Sequence, residues 1–410
     1  MKPEIEDRIR ADMAFELGRE GPPEGFPELP EIPGGRYTRR DFYDLEMEHV
    51  FSRSWLCIGR DEEIPDPGSY KLYRRLNAPI IVVRGKDRQV RAFYNTCRHR
   101  GAKIVAKECG RTNLLRCQYH SWAYGLDGRL ITVPDERDFF GLDKSQRGLL
   151  PVRCESWGGW IFINLDDNAG PLAEFLGPLA EEWSEPEMAS LRIIHRHSAT
   201  VNCNWKAAMD AFQEIYHVST IHGDSLGRAL NHRAAAFGLL PNGHSRLYAP
   251  YNENARAMLG MQAEGTPDIP TYPELARNSN VAYSAFPNLS SSFRSTSYQF
   301  MTFWPLDVDK VEMEVIGIGP DWGDGEPPAY WEEANARFRK ILDEDLDNLS
   351  SIQESLSTKA FTGILANYQE RRIYWVHEAI DRAIGVDRIP EGLAVAQVLM
   401  PYVEAVEGNR

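Results

Sequence analysis

The chain has 410 residues, and its 60 acidic side chains outnumber its 46 basic ones, which gives a formal net charge of −14. This acidity argues against a nucleic-acid partner, because a protein that neutralises phosphates needs a basic face. Hydrophobic residues make up 42% and charged residues 26%, which excludes a disordered or fibrous chain. At ~150 residues per domain, the length predicts two or three domains.

The N-terminal segment alternates charged residues and has no apolar centre, so we expect no secretory signal. No apolar run approaches the ~20 residues that a membrane span requires. We therefore expect a cytoplasmic protein without a membrane partner. The chain has six cysteines, and in a reducing compartment any conspicuous pair among them favours metal binding over a disulfide.

The first half of the chain has the pattern of a small all-β domain. Residues 21–35 are rich in Pro and Gly and predict an extended connector. Asp127-Gly128 predicts a hairpin turn. Strands are predicted at 69–76, 79–84, 89–96 and 160–165.

The pattern changes near residue 190. Strands are predicted at 191–202, 298–304 and 311–319, and helices at 205–220, 330–356 and 369–384. Strands followed by long helices predict an α+β domain rather than a doubly wound sheet.

Two mixed pairs, Cys97-Arg-His99 and Cys117-Gln-Tyr-His120, are separated by 17 residues in the β-rich half. A tetrahedral zinc site is one interpretation. Because each pair contains one thiol and one imidazole, the pattern favours a Rieske centre, in which two Cys hold one iron and two His hold the other. The remaining cysteines lack such a His and are predicted to be buried: Cys57, Cys109, Cys154 and Cys203.

The segment around these pairs is basic. Between residues 97 and 116 one acid, Glu108, accompanies six bases, which are Arg98, Arg100, Lys103, Lys107, Arg111 and Arg116. One interpretation is a solvated face. The other is a docking patch that steers an acidic electron donor to the metal centre.

A second group contains Glu214, His217 and His222. Glu214 and His217 are three residues apart and would share a helical face. His222 lies ~140° further around a continuous helix and could not converge with His217. The helix is therefore predicted to end between the two His, because residues 218–220 are weak helix formers. Two His and one carboxylate would form a facial triad for non-heme Fe(II).

The third ligand is predicted on the helix at 330–356. Its apolar stripe consists of Phe338, Ile341, Leu342, Leu349, Ile352 and Leu356. Asp345 falls on this stripe, whereas Asp343, Glu344 and Asp347 fall off its centre. A carboxylate that points into a core is costly unless it is paired or bound to a metal. Asp345 is therefore predicted as the ligand, with Asp343 and Asp347 as alternatives.

These motifs resemble those of Rieske non-heme iron ring-hydroxylating oxygenase alpha subunits. Residues 97–102 and 117–125 resemble the cluster loops of that family, and 204–222 resembles its Asn-Trp-Lys … Asp/Glu-x2-His-x4-His motif. Glu344-Asp345 … Gln353 resembles a later Glu-Asp … Gln element. The resemblance extends from about residue 36 to residue 383.

The resemblance implies an α+β fold in which an all-β Rieske [2Fe-2S] domain precedes a helix-grip (START/Bet v1-like) catalytic domain built on an antiparallel sheet. The implied domains are an N-terminal segment that packs on the catalytic domain (1–45), the Rieske domain (46–165) and the catalytic domain (166–410).

The resemblance also implies roles for single residues. The implied ligands of the [2Fe-2S] cluster are Cys97, His99, Cys117 and His120, and those of a mononuclear Fe(II) are His217, His222 and Asp345. Glu214 is expected to connect this iron to the cluster of a neighbouring subunit, and Asp210 is a second catalytic candidate. The substrate pocket is expected to include Met209, Phe212 and Val218.

The implied activity is that of a terminal oxygenase. It would use O2 and electrons from NAD(P)H, delivered by a reductase, a ferredoxin or both, to hydroxylate or dihydroxylate an aromatic or other hydrophobic small molecule. A homotrimer or an α3β3 assembly is expected. Because Glu rather than Asp stands at position 214, a monooxygenase or demethylase of choline-, carnitine- or betaine-like substrates is an alternative. An iron-sulfur electron-transfer protein with a ligand-binding domain is a further alternative.

Overall fold

A computed structural model of the protein describes residues 1–76, 78–183, 185–223, 225–253, 255 and 265–404. The chain divides into two compact units, one of which is Phe51–Glu174. The other combines Met1–Val50 with Phe175–Arg410. The boundaries predicted after residues 45 and 165 lie five and nine residues before these divisions and stay predictions. Among the described residues, no helix combines the length and apolar character that crossing a bilayer requires.

The N-terminal part of the discontinuous unit is mostly helical. It contains α1 (Pro3–Gly18), β1 (Ile32–Pro33), α2 (Gly35–Thr38) and α3 (Arg40–Leu45). Residues 20–31 form an irregular connector, as the Pro and Gly content predicts. The sequence did not predict β1. This strand pairs with a short strand late in the chain, where Ile32 lies opposite Ile364.

The central unit, Phe51–Glu174, is all-β, as predicted. Its strands are β2 (Leu56–Arg60), β3 (Ser69–Tyr73), β4 (Ile80–Arg84), β5 (Val90–Tyr94), β6 (Cys109–Arg111), β7 (Leu115–Arg116), β8 (Ala123–Tyr124), β9 (Leu130–Thr132), β10 (Pro151–Trp157) and β11 (Trp160–Asn164). One antiparallel sheet has the order β2-β11-β10-β5-β4-β3-β6, and a smaller one has the order β7-β8-β9. Asp127-Gly128 lies in the turn between β8 and β9, where Gly128 has a φ of +83°.

The prediction that the four cysteines outside the two Cys-His pairs are buried is wrong for Cys109. This residue lies on β6, at the edge of the larger sheet, where all three residues of the strand are exposed. Cys154 is partly buried, while Cys57 and Cys203 are buried.

The discontinuous unit resumes within α4 (Leu172–Leu176). Its further elements are α5 (Pro178–Glu182), α6 (Glu185–Ser190), β12 (Arg192–Val201), α7 (Trp205–Asp210), α8 (Val218–Ile221), β13 (Ala236–Leu239), β14 (Ser245–Pro250), α9 (Glu274–Arg277), β15 (Ser279–Ala285), β16 (Leu289–Phe293), β17 (Tyr298–Asp307), β18 (Lys310–Gly319), α10 (Ala329–Leu356), β19 (Gly363–Ile364) and α11 (Arg371–Ile384). The strands β12-β18-β17-β16-β15-β14-β13 form an antiparallel sheet, and α10 packs on β12. The predicted α+β class is confirmed.

The helix predicted at 205–220 is wrong in its extent. α7 ends at Asp210, and the one-turn helix α8 begins only after His217. Beyond that end, the carboxylate of Glu214 accepts hydrogen bonds from the backbone N–H groups of Tyr216 and His217, so the helix does not resume before His217. A side chain that binds nearby N–H groups replaces the bonds that a continuing helix would form.

The long helix is confirmed, with one correction to its stripe. α10 begins after Pro328 and buries Phe338, Leu342 and Leu349, but Ile352 is 43% exposed.

Buried ion pairs fasten the N-terminal part to the helices of this unit. Lys206 on α7 pairs with Glu46 at 2.8 Å.

Candidate metal centres

The two predicted cluster loops share one backbone design. In the first, the N–H of Cys97 donates to the carbonyl oxygen of Ala102 at 2.8 Å, and the N–H of Gly101 donates to that of Cys97 at 3.0 Å. In the second, Cys117 and Ser121 repeat these bonds at 2.8 and 3.1 Å. The fourth residue after each Cys has a positive φ, +75° at Gly101 and +58° at Ser121.

This shared design brings the four predicted cluster ligands together. Cys97 and Cys117 are both buried, and the imidazole centroids of His99 and His120 lie 4.7 Å apart. The indole of Trp122 stacks on the ring of His99 at 4.8 Å with an interplanar angle of 8°. The loops therefore present two thiols and two imidazoles at one place.

The donor atoms fit a [2Fe-2S] cluster. Nδ1 of His99 is buried and forms no hydrogen bond with any residue that the structure describes. Burial raises the pKa of the Cys97 thiol, while the hydroxyl of Tyr124, 3.3 Å from Sγ, opposes that rise. A buried imidazole nitrogen without a partner and a hydrogen-bonded buried sulfur are what metal ligation requires.

The second predicted group also converges. His217 and His222 bracket the one-turn helix α8, and Asp345 lies on α10. Oδ1 of Asp345 is 3.4 Å from Nε2 of His217 and 3.0 Å from Nε2 of His222. One ligand atom from each of the three residues lies within 4.8 Å of the other two. The neighbouring Asp343 and Asp347 are exposed.

A carboxylate orients each imidazole from its far side. Nδ1 of His217 donates to Oε1 of Glu214, and Nδ1 of His222 donates to Oε2 of Glu344 at 2.7 Å. Both Nε2 atoms are thereby turned towards Asp345. Such outer carboxylates fix the tautomer of a ligating imidazole and increase its basicity.

The electrostatics of this group favour a cation. Burial lowers the pKa of His217, but its hydrogen bonds to Asp345 and Glu214 raise it to about 10. Burial raises the pKa of Asp345, but the hydrogen bonds from His217 and His222 hold it below its ordinary value. Two imidazoles and one carboxylate with an open side match the facial donor set of non-heme Fe(II).

Sequence reasoning missed the role of Glu344. The residue lies off the centre of the apolar stripe, as predicted, yet it reaches His222 and also accepts a hydrogen bond from Ser225 at 2.7 Å. Its position next to Asp345 in the Glu-Asp pair was the feature of the sequence that could have indicated this role. Later on the same helix, Gln353 accepts the backbone N–H of Asn204 at 2.7 Å, which fastens α10 to the start of α7.

A cavity of about 100 Å³ adjoins the three converging residues. Phe212 and Val218, two of the predicted pocket residues, are part of its lining. The third, Met209, is 1% exposed on α7 and does not contribute to the described lining.

Asp210 also lies outside the described lining of this cavity. Its Oδ2 accepts a hydrogen bond from the hydroxyl of Tyr37 at 2.7 Å, and that hydroxyl is 2.8 Å from Nε2 of His377. Burial raises the pKa of Asp210 to about 7. The catalytic role of Asp210 stays a prediction.

Two family models match the chain. The model described as the Rieske [2Fe-2S] domain matches residues 54–149, and that described as the ring hydroxylating alpha subunit (catalytic domain) matches residues 188–385. These matches contain both converging groups. The chain belongs to the Rieske non-heme iron ring-hydroxylating oxygenase alpha subunits.

Curated relatives of this Rieske oxygenase chain differ in substrate. The carnitine monooxygenase oxygenase subunit of Escherichia coli is 34% identical over 206 residues, which are 49% of this chain and 55% of the relative. The benzene 1,2-dioxygenase subunit alpha of Pseudomonas putida is 38% identical over 190 residues, which are 45% of this chain and 42% of the relative. The matched part thus spans about half the length of these relatives.

Solved structures show the same fold. A quaternary ammonium Rieske monooxygenase superposes with a TM-score of 0.75 and 22% identity, over 89% of this chain and 99% of the other. Naphthalene 1,2-dioxygenase with indole in its active site gives a TM-score of 0.68 and 22% identity, over 87% of this chain and 93% of the other.

The orientation of His222 by Glu344 has a measurable consequence. Glu344→Ala removes the acceptor at Nδ1, so we expect iron affinity at the His217–His222–Asp345 group to fall by about 10- to 100-fold. Chelator titration with iron quantitation measures this loss. Asp343, the exposed neighbour of Glu344, provides a matched control. Asp343→Asn should retain iron as the unaltered protein does. Equal retention by both variants would contradict the assigned role of Glu344.

Proposed function

We propose that the chain is the terminal oxygenase of a multicomponent Rieske oxygenase system. It would take electrons from NAD(P)H through a reductase, with or without a ferredoxin, and use O2 to hydroxylate a small molecule. The observation that supports this proposal is the presence in one chain of two separate donor groups, one suited to a cluster and one to a single iron with an adjoining cavity.

The proposal assigns the ligands predicted from the sequence. Cys97, His99, Cys117 and His120 hold the cluster, and His217, His222 and Asp345 hold the mononuclear iron. When bound, these groups supply single electrons and open coordination positions for O2. A homotrimer, or an assembly with a β subunit, is part of the same proposal.

The chain's own side chains prepare the iron site. Glu214 holds the proton at Nδ1 of His217, and Glu344 holds the one at Nδ1 of His222. Glu214 also contributes to the lining of the cavity beside the proposed iron site. We assign Glu214 as the residue that connects this site to the cluster of a neighbouring subunit.

An aromatic or other hydrophobic substrate fits this cavity better than an isolated alkylammonium group. Apolar side chains dominate the described lining, and its aromatic members are Phe212 and Phe338, without Tyr or Trp. Its carboxylates, Glu214 and Asp345, are engaged with the two imidazoles. Quaternary ammonium groups are typically bound in cages of several aromatic rings. The relative named for benzene is therefore the better guide to the substrate than the one named for carnitine.

The function and the role of Glu214 are tested in one single-turnover experiment. Reduced, iron-loaded protein is mixed with O2 and a panel of monocyclic and bicyclic aromatic compounds. We expect an oxygenated product and cluster reoxidation in the unaltered protein. Glu214→Gln keeps an acceptor oxygen for His217, so it should retain iron, but loss of the carboxylate should slow cluster reoxidation by about 100-fold.

Glu354→Gln is the matched control for this experiment, because Glu354 is exposed on α10. It should react as the unaltered protein does. Rapid cluster reoxidation in Glu214→Gln would contradict the connecting role. Absence of any oxygenated product across the panel would contradict the proposed reaction with aromatic compounds.

The basic segment of the Rieske unit fits a donor surface. Lys103 and Lys107 are both exposed, and neither forms an ion pair with a residue that the structure describes. Arg111, in contrast, pairs with Asp66 at 3.1 Å. Charges on such a surface act mainly on the association rate, and salt screens them.

Charge reversal tests this surface. We expect Lys103→Glu with Lys107→Glu to slow reduction of the cluster by the donor protein and to flatten the dependence of that rate on ionic strength. Lys86→Glu is the control, because Lys86 lies in the turn between β4 and β5, at the opposite end of β5 from Cys97. Equal effects in the control and the double variant would exclude a local docking patch.

A further inference from the structure

A second, larger cavity of about 480 Å³ adjoins the one beside the converging His217, His222 and Asp345. The two cavities share four lining residues, which are Leu226, Arg294, Phe338 and Ile341. These four side chains therefore lie where the two cavities meet.

The described lining of the larger cavity is basic. It includes Arg228, Arg277, Arg294, Arg337 and Lys340, and it includes no Asp or Glu among the residues that the structure describes. The chain as a whole has a net charge of −14, so the charge of this lining is opposite in sign to that of the chain. Several positive charges that line a partly enclosed cavity attract anionic molecules and raise their local concentration.

These bases differ in how their charge is balanced. Arg277 pairs with Asp268 at 2.8 Å, and Arg228 donates to the carbonyl oxygen of Gly223 at 3.0 Å. The guanidinium groups of Arg294 and Arg337 form no hydrogen bond or ion pair with any described residue. Both residues are partly buried.

Arg294 has the decisive position. It follows directly after β16 and lines both cavities, whereas the other four bases line only the larger one. Phe338 and Ile341, about two turns and one turn before Asp345 on α10, provide apolar surface beside it. A planar guanidinium next to apolar surface matches a molecule with an apolar body and a planar anionic group.

We propose that the substrate carries an anionic group, and that Arg294 binds this group while the apolar part of the substrate lies beside His217, His222 and Asp345. The chemical class is an organic acid with a hydrophobic body, such as a ring carboxylate. This inference rests on the proposed function and narrows its substrate class. Arg337 and Lys340 add to the field that draws the acid into the cavity. The same field disfavours a substrate whose only charge is an alkylammonium group.

The test uses pairs of compounds that differ only in charge. Benzoate is compared with benzamide, and naphthoate with naphthamide, by equilibrium dialysis against the iron-loaded protein. We expect each acid to bind about tenfold more tightly than its amide, as is typical of a hydrogen-bonded charge pair. Arg294→Gln should bring the acid and the amide close to equal affinity, and Arg294→Lys should keep part of the preference.

Arg339→Gln is the matched control. Arg339 lies on the same helix as Arg337, is exposed and does not contribute to the described lining. Its replacement should leave the preference for the acids unchanged.

Equal binding of acid and amide by the unaltered protein overturns the inference, and this comparison requires no variant to fold. Failure of both acids to bind also overturns it, as does a preference that survives in Arg294→Gln. Because binding is measured without turnover, the proposed function can fail separately. Acids that bind through Arg294 but yield no oxygenated product would contradict the oxygenase proposal and leave the anion site intact.

Discussion

The proposed chemistry depends on one constraint, which is that two imidazoles five residues apart must face the same carboxylate. A continuous helix would place His217 and His222 ~140° apart around its axis. The chain satisfies the constraint by ending α7 at Asp210 and forming a single helical turn between the two His. The long helix α10 then brings Asp345 to within 3.4 Å of both Nε2 atoms. Because Glu214 both replaces the helical bonding and holds His217, a single side chain couples the backbone break to the orientation of a ligand.

The other metal centre solves a similar problem by repetition. Each cluster loop turns back on its Cys with the same two backbone hydrogen bonds and a positive φ at the fourth following residue. Glycine adopts this conformation without strain at position 101, whereas Ser121 adopts it at some cost, which the rest of the loop must offset. In both centres, therefore, the donor atoms are positioned by local backbone geometry that regular secondary structure does not provide.

Spacing and residue type predicted much of this arrangement. Asp345 followed from a carboxylate on an apolar stripe, and the cluster ligands followed from the mixed Cys-His pairs. Local periodicity could not show that Glu214 would keep residues 214–217 out of a helix, since that depends on a side chain competing for backbone N–H groups. The bases of the larger cavity could not be predicted for a different reason. Arg228, Arg294 and Arg337 are far apart in sequence, and only the fold of the sheet and α10 brings them to one cavity.

Iron stoichiometry tests the central claim, that one chain holds a cluster and a separate iron, most directly. Iron quantitation combined with electron paramagnetic resonance should give about three iron atoms per chain, with the signal of a Rieske cluster. In His222→Ala the count should fall to about two while the cluster signal is retained. About two irons in the unaltered protein, unchanged by His222→Ala, would contradict the claim and indicate an iron-sulfur electron-transfer protein instead.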